Sequence, residues 1–183
     1  NKAKRKNILI DLSDLKHPNC GFGQIAINYS KRFANLPIEG LIFLFAAQLL
    51  PKIHSKNVTS VLVRNRKIRK WFPFTLPKVD IWHSVNQYNK LYRQSPKFIF
   101  TIHDLNFLFE QEGQKRQEFL QRIQQKIDKA TIITTISHYV ADEIKKYTNL
   151  NGKEIRVIYN GVERIDQQEG KQPKFGKQSK IGS

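Results

Sequence analysis

The segment from residue 131 to residue 161 constrains the fold of this chain more than any other. A run of mainly β-branched residues at 131–136 is followed by Ser137 and by a helical pattern over 138–147. A second apolar run covers 154–159 and ends at the dipeptide Asn160-Gly161. Parallel strands need a long crossover connection, and an amphipathic helix is the usual one. The segment therefore predicts a strand–helix–strand unit of a parallel sheet.

The same alternation runs through the rest of the chain. Further strands are predicted at 7–12, 41–47, 58–63, 79–83 and 98–102, and helices at 24–35 and 114–129, with a short basic helix or turn at 64–71. In the helix at 114–129, Phe119, Ile123 and Ile127 form one apolar stripe at helical spacing. Strands that alternate with helices indicate a doubly wound parallel sheet of the α/β class.

Polar clusters follow four of the predicted strands. They lie at 11–23, at 83–89, at 103–106 and at 137–138. Ligands of open parallel sheets bind beyond the carboxyl ends of the strands, near the point where the strand order switches. We therefore expect these clusters to meet at one edge of the sheet and to form the binding site.

The charge of the chain is strongly unbalanced. Thirty-two Lys and Arg residues stand against fifteen Asp and Glu residues, which gives a formal net charge of +17. Such a charge favours anionic partners, which include nucleic acid, phospholipid headgroups and phosphorylated small molecules. The single cysteine, Cys20, excludes an internal disulfide framework and any all-cysteine metal site. No secretory signal is visible, so a reducing cytoplasm is the expected compartment.

A glycine-containing turn follows the first strand and opens the first helix. Gly21 and Gly23 allow the backbone to approach a ligand closely, and free amides at a helix start can bind phosphate or carboxylate. The dinucleotide fingerprint would need a third glycine, where this chain has Ala26, and no acidic residue ends the second strand. A nicotinamide or flavin cofactor is therefore disfavoured. The alternative is a turn that simply needs flexible residues.

Three other positions carry candidate chemistry. His103 and Asp104 follow a strand, where an imidazole can bond a sugar hydroxyl or move a proton and a carboxylate can orient it. The alternative is a histidine at the sheet edge with an aspartate that starts a turn. His83 repeats the pattern one strand earlier. Ser137 is best interpreted as a helix N-cap, with an anion site as its functional extension. The spacing of the histidines matches no zinc signature.

A basic and aromatic segment lies near the middle of the chain. Its cations are Arg64, Arg66, Lys67, Arg69 and Lys70, and its first aromatic residues are Trp71 and Phe72. Clustered cations beside aromatic rings suit an anionic membrane surface. The same composition suits RNA, through phosphate contacts and base stacking. A third interpretation is a solvated basic helix whose aromatic side chains lie in the core.

Taken in order, these motifs resemble the N-terminal domain of the retaining GT-B glycosyltransferases of family 4, a large group of bacterial sugar transferases. The matching segments are the glycine turn at 21–24, the strand end at 80–84, the Phe-Thr-Ile-His-Asp-Leu run at 100–105, the Ile-Thr-Thr-Ile-Ser run at 133–137 and the segment 153–163. The resemblance implies a Rossmann-like sheet that forms one half of a GT-B fold. It covers residues 7 to 163.

The resemblance also implies an activity. The enzyme would transfer a hexose or similar sugar from a nucleotide diphosphate donor to a hydroxyl with retention, with the nucleotide-sugar as co-substrate and no required metal or other cofactor. The acceptor would lie mostly on the N-terminal domain and the donor mostly on a C-terminal one. His103 and Asp104 are the implied catalytic residues, with His103 beside the transferred sugar and Asp104 supporting its loop. The implied substrate-binding residues are Gly21, Phe22, Gly23, Gln24, His83, Asn86, Ser137, His138 and Asn160.

Domain organisation and location follow from the same resemblance. Residues 1–163 are expected to form the acceptor-side domain, and the polar residues 164–183 a disordered tail or the start of an interdomain linker. The expected partners are a saccharide or lipid-linked acceptor of the cell envelope, an anionic membrane surface on the cytoplasmic side, and a C-terminal donor-binding domain. Without that domain the chain is expected to bind without turnover. A nucleic-acid-binding α/β module and a non-catalytic subunit remain the alternatives.

Overall fold

The computed structural model describes residues 6–12, 21–34, 40–46, 57–62 and 66–161. Its strands are β1 (Lys6–Leu12), β2 (Gly40–Ala46), β3 (Val58–Leu62), β4 (Ile81–Ser84), β5 (Lys97–Ile102), β6 (Ile132–Thr135) and β7 (Ile155–Val157). Its helices are α1 (Gly21–Ala34), α2 (Arg66–Trp71), α3 (Phe107–Glu110), α4 (Gly113–Lys129) and α5 (His138–Tyr147), with a short 3-10 helix at Pro73–Thr75.

All seven of these strands pair in one parallel sheet with the order β3-β2-β1-β4-β5-β6-β7. The order reverses between β1 and β4, so the connections leaving these two strands run in opposite directions and open a crevice at their carboxyl ends. The predicted Rossmann-like, doubly wound parallel sheet is confirmed.

One face of the sheet carries the larger hydrophobic core. Trp82, Phe100 and Ile133 are fully buried there and share the core with Ile127 of α4 and Ile144 of α5. The apolar stripe predicted for α4 is the surface that packs on this face, and the indole of Trp82 lies in the same core. These contacts fix α4 and α5 against the central and outer strands.

The opposite face is covered by α1 over the first strands. Tyr29 and Phe33 of α1 pack against a second buried cluster that contains Ile10, Leu44 and Val58. Further along the sheet, side chains of β4, β5 and β6 on this face line a pocket whose other wall is α1. This arrangement places the pocket beside the switch point.

The predicted elements agree with the observed ones to within a few residues and differ mainly in two places. The last strand is shorter than the predicted 154–159, and among the described strands it lies at the edge of the sheet and pairs only with β6. The helix α3 was not predicted, since its four residues are too few to show a periodic pattern. The expected tail at 164–183 lies outside the described residues, as do most of the turn between β1 and α1 and the end of the predicted 160–163 turn.

Candidate functional site

The loops that follow β4 and β5 are joined to each other at the carboxyl edge of the sheet. The Nε2 atom of His103 lies 2.7 Å from the backbone oxygen of Val85, and the backbone N–H of His103 donates to Oε1 of Gln87 at 3.1 Å. The Nε2 of Gln87 donates in turn to the backbone oxygen of Asp104 at 3.2 Å. Three hydrogen bonds therefore hold the predicted catalytic loop against the loop of the neighbouring strand.

These contacts define the protonation of His103. A carbonyl oxygen can only accept, so Nε2 carries the proton and Nδ1 is the acceptor nitrogen of the neutral ring. Burial lowers the pKa of His103 below its usual value, while the bond to Val85 and the charge of Asp104 act in the opposite direction. The ring is therefore a neutral imidazole near pH 7.

Asp104 and Asn86 both stabilise turns in these loops. The Oδ1 atom of Asp104 accepts from the backbone N–H of Asn106 at 3.1 Å. The Oδ1 atom of buried Asn86 accepts from the backbone N–H of Tyr88 at 2.6 Å. Each is a short-range turn contact of the kind that Asp and Asn favour. Asp104 therefore stabilises the turn within the His103 loop, and Asn86 stabilises the turn after β4.

A lysine of α4 stabilises the loop that follows β4 by hydrogen bonds to its backbone. Lys126 donates through Nζ to the backbone oxygens of Gln87 at 2.7 Å and Asn89 at 2.5 Å, and its ammonium lies 5.1 Å from the centre of the Phe100 ring. Asn89 donates through Nδ2 to the backbone oxygen of Asp11 at 2.6 Å. The β4 loop is thus connected to α4 and to the end of β1 as well as to the His103 loop.

The pocket beside α1 has a volume of about 400 Å³ and a row of polar side chains along its sheet wall. The Nε2 atom of His83 lies 2.9 Å from Oγ1 of Thr101, which lies 2.7 Å from Oγ1 of Thr134. Burial, with a smaller contribution from His103, lowers the pKa of His83 to about 4. His83 is therefore neutral at pH 7 and bonded to the sheet, and it lies on the pocket wall together with His103.

The third predicted cluster lies at the start of α5. The predicted N-cap is confirmed, because Oγ of Ser137 accepts from the backbone N–H of Val140 at 3.2 Å. The exposed His138 ring lies 6.1 Å from the ring of Tyr159, measured between centroids. Asn160 is exposed and lines the pocket at its β7 end. Ser137 therefore has a local structural contact, whereas Asn160 faces the space that a ligand would enter.

The glycine turn is described only in part. The helix α1 begins at Gly21 and includes Gly23, in agreement with the prediction that these two glycines open a helix. The side chain of Phe22 lies outside the described residues, and Gln24 is exposed. The residues of α1 that reach the pocket are one to three turns further along, where Ile25, Asn28, Tyr29 and Arg32 line its wall.

The basic and aromatic segment forms α2 and the 3-10 helix after it. Trp71 is 77% exposed and Phe74 is 70% exposed, and Phe72 contacts Phe74 with ring centroids 5.7 Å apart. The interpretation that placed these aromatics in the core is therefore wrong. Arg69 donates to the backbone oxygen of Thr75 at 2.9 Å. Arg64, and the side chains of Arg66, Lys67 and Lys70, lie outside the described residues.

Several site residues were missed by sequence reasoning. Thr101 and Thr134 occupy registered positions of adjacent strands, and Arg156 is registered with Thr134 on β7. The signal was present, because Thr101 and Thr134 lie near the ends of their strands, but it depends on knowing the strand order. Arg32 and Lys126 gave no signal, since each looked like a solvated charge on an amphipathic helix.

Over the described ranges, no group of three or more His, Cys, Asp and Glu side chains is arranged to hold a metal ion. In the same part of the chain no helix has both the length and the apolar character needed to cross a bilayer.

The strand order and the joined loops at the carboxyl edge define a Rossmann-like α/β domain with a pocket beside its switch point. The model of Glycosyltransferase Family 4 matches residues 31–164 of this chain. The match covers well over half of the 183 residues, and the chain belongs to glycosyltransferase family 4. A search of curated proteins finds no match.

Proposed function

We propose that this chain is the acceptor-side domain of a bacterial glycosyltransferase that moves a sugar from a nucleotide-diphosphate donor to a cell-envelope saccharide or a lipid-linked acceptor, with retention. The observation that carries the proposal is the His103 loop. Its imidazole is held by Val85 and Gln87 at the carboxyl edge of a parallel sheet, and it lines a pocket of about 400 Å³. Membership of glycosyltransferase family 4 supplies the reaction class.

In this proposal the residues of the edge position the acceptor. Neutral His103 lies beside the hydroxyls of the acceptor sugar, and Asp104 stabilises the turn that follows it through its bond to Asn106. Positioning of this kind lowers the barrier because the reacting groups are held together in advance. Lys126 and Gln87 stabilise the loop from the other side and are positioning residues.

The family resemblance assigns binding of the donor diphosphate to a second α/β domain. In this proposal that second domain faces the pocket of the present one. Stabilising the charge of the leaving diphosphate is expected to be the largest catalytic contribution. We therefore expect the 183-residue chain by itself to bind acceptor sugars and to show no transfer from any nucleotide-sugar.

We also propose that the domain docks on the cytoplasmic face of an anionic membrane through α2 and the 3-10 helix. The exposed Trp71, Phe72 and Phe74 would lie at headgroup level, with the cations of 64–70 near the lipid phosphates. A basic residue near an anionic leaflet contributes about 1 kcal/mol, so several give reversible docking.

Vesicle sedimentation tests the docking. We expect the chain to bind vesicles of phosphatidylglycerol and phosphatidylcholine at low salt, and Phe74→Ala to weaken that binding. Phe109→Ala is the matched control, because both phenylalanines are 70% exposed and Phe109 belongs to α3. Equal loss in both variants, or no binding to anionic vesicles, would contradict the docking proposal.

Saturation-transfer NMR tests the acceptor role. Methyl glucoside, methyl mannoside and N-acetylglucosamine serve as probes, and we expect at least one to bind to the 183-residue chain. His103→Ala should abolish the signal, whereas Gln125→Ala on the exposed side of α4 should keep it. Sugar binding that survives in His103→Ala would contradict the role given to His103. A chain that binds none of the three sugars and binds poly(U) with a steep salt dependence would favour the nucleic-acid alternative.

A further inference from the structure

The pocket beside α1 combines an apolar floor with a hydrogen-bonding row. Ile99 and Ile132, which are registered neighbours on β5 and β6, line its sheet side. Next to them run Thr101 and Thr134, whose hydroxyl oxygens are 2.7 Å apart. Small-molecule sites are mostly apolar with a few placed polar groups, and about 400 Å³ lies within their usual range. An apolar floor beside hydroxyls suits a sugar ring, which has both C–H faces and O–H edges.

Two arginines face this pocket from opposite sides. Arg32 comes from α1 and Arg156 from β7, where Arg156 is registered with Thr134. No aspartate or glutamate is among the described residues that line the pocket. The ion pair that Arg156 forms within the described ranges is with the exposed Glu154, whose Oε2 lies 3.8 Å from Nε. A guanidinium has five N–H donors, so this single long contact does not saturate it.

The neighbouring histidines do not change the net charge of the pocket at neutral pH. His83 has its pKa lowered to about 4, and burial also lowers the pKa of His103, so both rings are neutral. The positive charge of the pocket therefore belongs to the two guanidinium groups. Guanidinium forks match the geometry of carboxylate and phosphate oxygens and bond them in pairs.

We propose that this pocket binds an acidic saccharide, meaning a sugar unit that carries a phosphate or a carboxylate, with Arg32 and Arg156 on the anionic group and the Thr101–Thr134 row beside the sugar hydroxyls. The inference rests on the proposed function, since it names the class of acceptor whose reacting hydroxyl would approach His103. It explains why the polar residues of the site continue along the sheet face as far as β7.

Calorimetric titration of the 183-residue chain tests the inference. The probes are glucose 6-phosphate, glucuronate, glucose and inorganic phosphate. We expect at least one acidic sugar to bind about tenfold more tightly than glucose, because a hydrogen bond to a charged group contributes enough for that factor. The phosphate and carboxylate probes distinguish the two sources of the anionic group.

Three variants locate the effect. Arg32→Gln and Arg156→Gln should each weaken the acidic sugar about tenfold and leave glucose unchanged. Arg122→Gln is the matched control, because Arg122 is an exposed arginine on α4 that contacts Glu118 at 3.4 Å, much as Arg156 faces Glu154. Arg122→Gln lowers the net charge of the chain by the same amount as the two pocket variants do. Circular dichroism confirms that all three variants fold.

The outcomes separate this inference from the proposed function. If His103→Ala abolishes glucose binding while neither acidic sugar binds more tightly than glucose, the acceptor role stands and the acidic pocket is refuted. If the acidic sugar depends on both arginines but no sugar responds to His103→Ala, the pocket stands and the acceptor role fails. Inorganic phosphate that binds as tightly as the sugar phosphate, or an equal loss in Arg122→Gln, would refute the pocket.

Discussion

Replacing His83 with glutamine is expected to remove a large part of this domain's sensitivity to mild acid. The imidazole lies on the sheet wall of the pocket, with Nε2 2.9 Å from Oγ1 of Thr101. Burial, and to a smaller extent His103, lowers the pKa of His83 from 6.5 to about 4. Glutamine can keep a hydrogen bond to Thr101 but cannot take up a proton, so the substitution isolates the effect of protonation.

The sign of the effect follows from the direction of the pKa shift. Because the folded pKa is below the unfolded one, the unfolded chain binds more protons between pH 4 and pH 6.5. The free energy of unfolding is therefore at its full value above about pH 6.5 and falls as the pH drops towards 4. The shift corresponds to about 3 kcal/mol at 1.36 kcal/mol per unit, and part of the ring is reached by water, so this is an upper figure. For a domain of this size it amounts to roughly 6 to 12 °C in Tm.

Urea denaturation of the wild-type chain and of His83→Gln at pH 7 and at about pH 4.5 measures this difference. Carboxylates that titrate in this range contribute equally to both proteins, so the change in the gap between them reports His83. We expect the wild type to lose about 2 kcal/mol more than the variant over this interval. Parallel losses, or an NMR titration in which the His83 ring titrates near pH 6.5, would refute the reasoning.

Three further substitutions test the supports of the fold and site by urea denaturation at pH 7. Lys126→Met removes two charge-assisted hydrogen bonds to the β4 loop and should lower the free energy of unfolding by about 2 kcal/mol. Lys115→Met, on the exposed side of the same helix, should lower it by under about 0.5 kcal/mol. Equal effects would contradict the stabilising role of Lys126. Gly40→Ala should destabilise by about 2 kcal/mol or more, because φ is +156° and a Cβ atom would collide with the backbone oxygen of Lys6; a neutral effect would contradict this close approach. Ser137→Ala should cost about 1 kcal/mol through loss of the N-cap, and Ser137→Asp should restore most of it if the cap is the cause.

The sheet could be predicted because its signals are local. In β5 the buried residues Phe98, Phe100 and Ile102 alternate with half-buried ones, and Ile123 and Ile127 repeat with the period of a helix. Each pattern reports the burial of its own element, and alternating strands and helices allow few topologies. The existence of the strands and of the longer helices therefore followed from the sequence, whereas their ends shifted by a few residues and the four-residue α3 was not predicted.

The site could be predicted only where it lies at strand ends. The loop of His103 was found because a polar pair follows an apolar strand. Its contact with Val85 joins residues 18 positions apart and depends on the pairing of β4 with β5, which no local pattern encodes. Lys126 was missed because it lies next to the buried Ile127 of α4 and reaches the loop with a long side chain, whose ammonium bonds to two backbone carbonyls.

The two faces of the central strands carry different side chains: one face is apolar and the other carries a row of polar groups. A central parallel strand covered on both faces is normally apolar throughout, yet β4, β5 and β6 carry His83, Thr101 and Thr134 in a row. Burying such groups is costly unless they bond to one another, as these do, or to a ligand. Side chains on strands are held more rigidly than those on loops. The His83–Thr101–Thr134 row is therefore suited to binding sugar hydroxyls in fixed positions, while His103 is supplied by the neighbouring hydrogen-bonded loop. Thr101→Val should therefore weaken saccharide binding without altering the tautomer of His103, because the two are supported by separate hydrogen bonds.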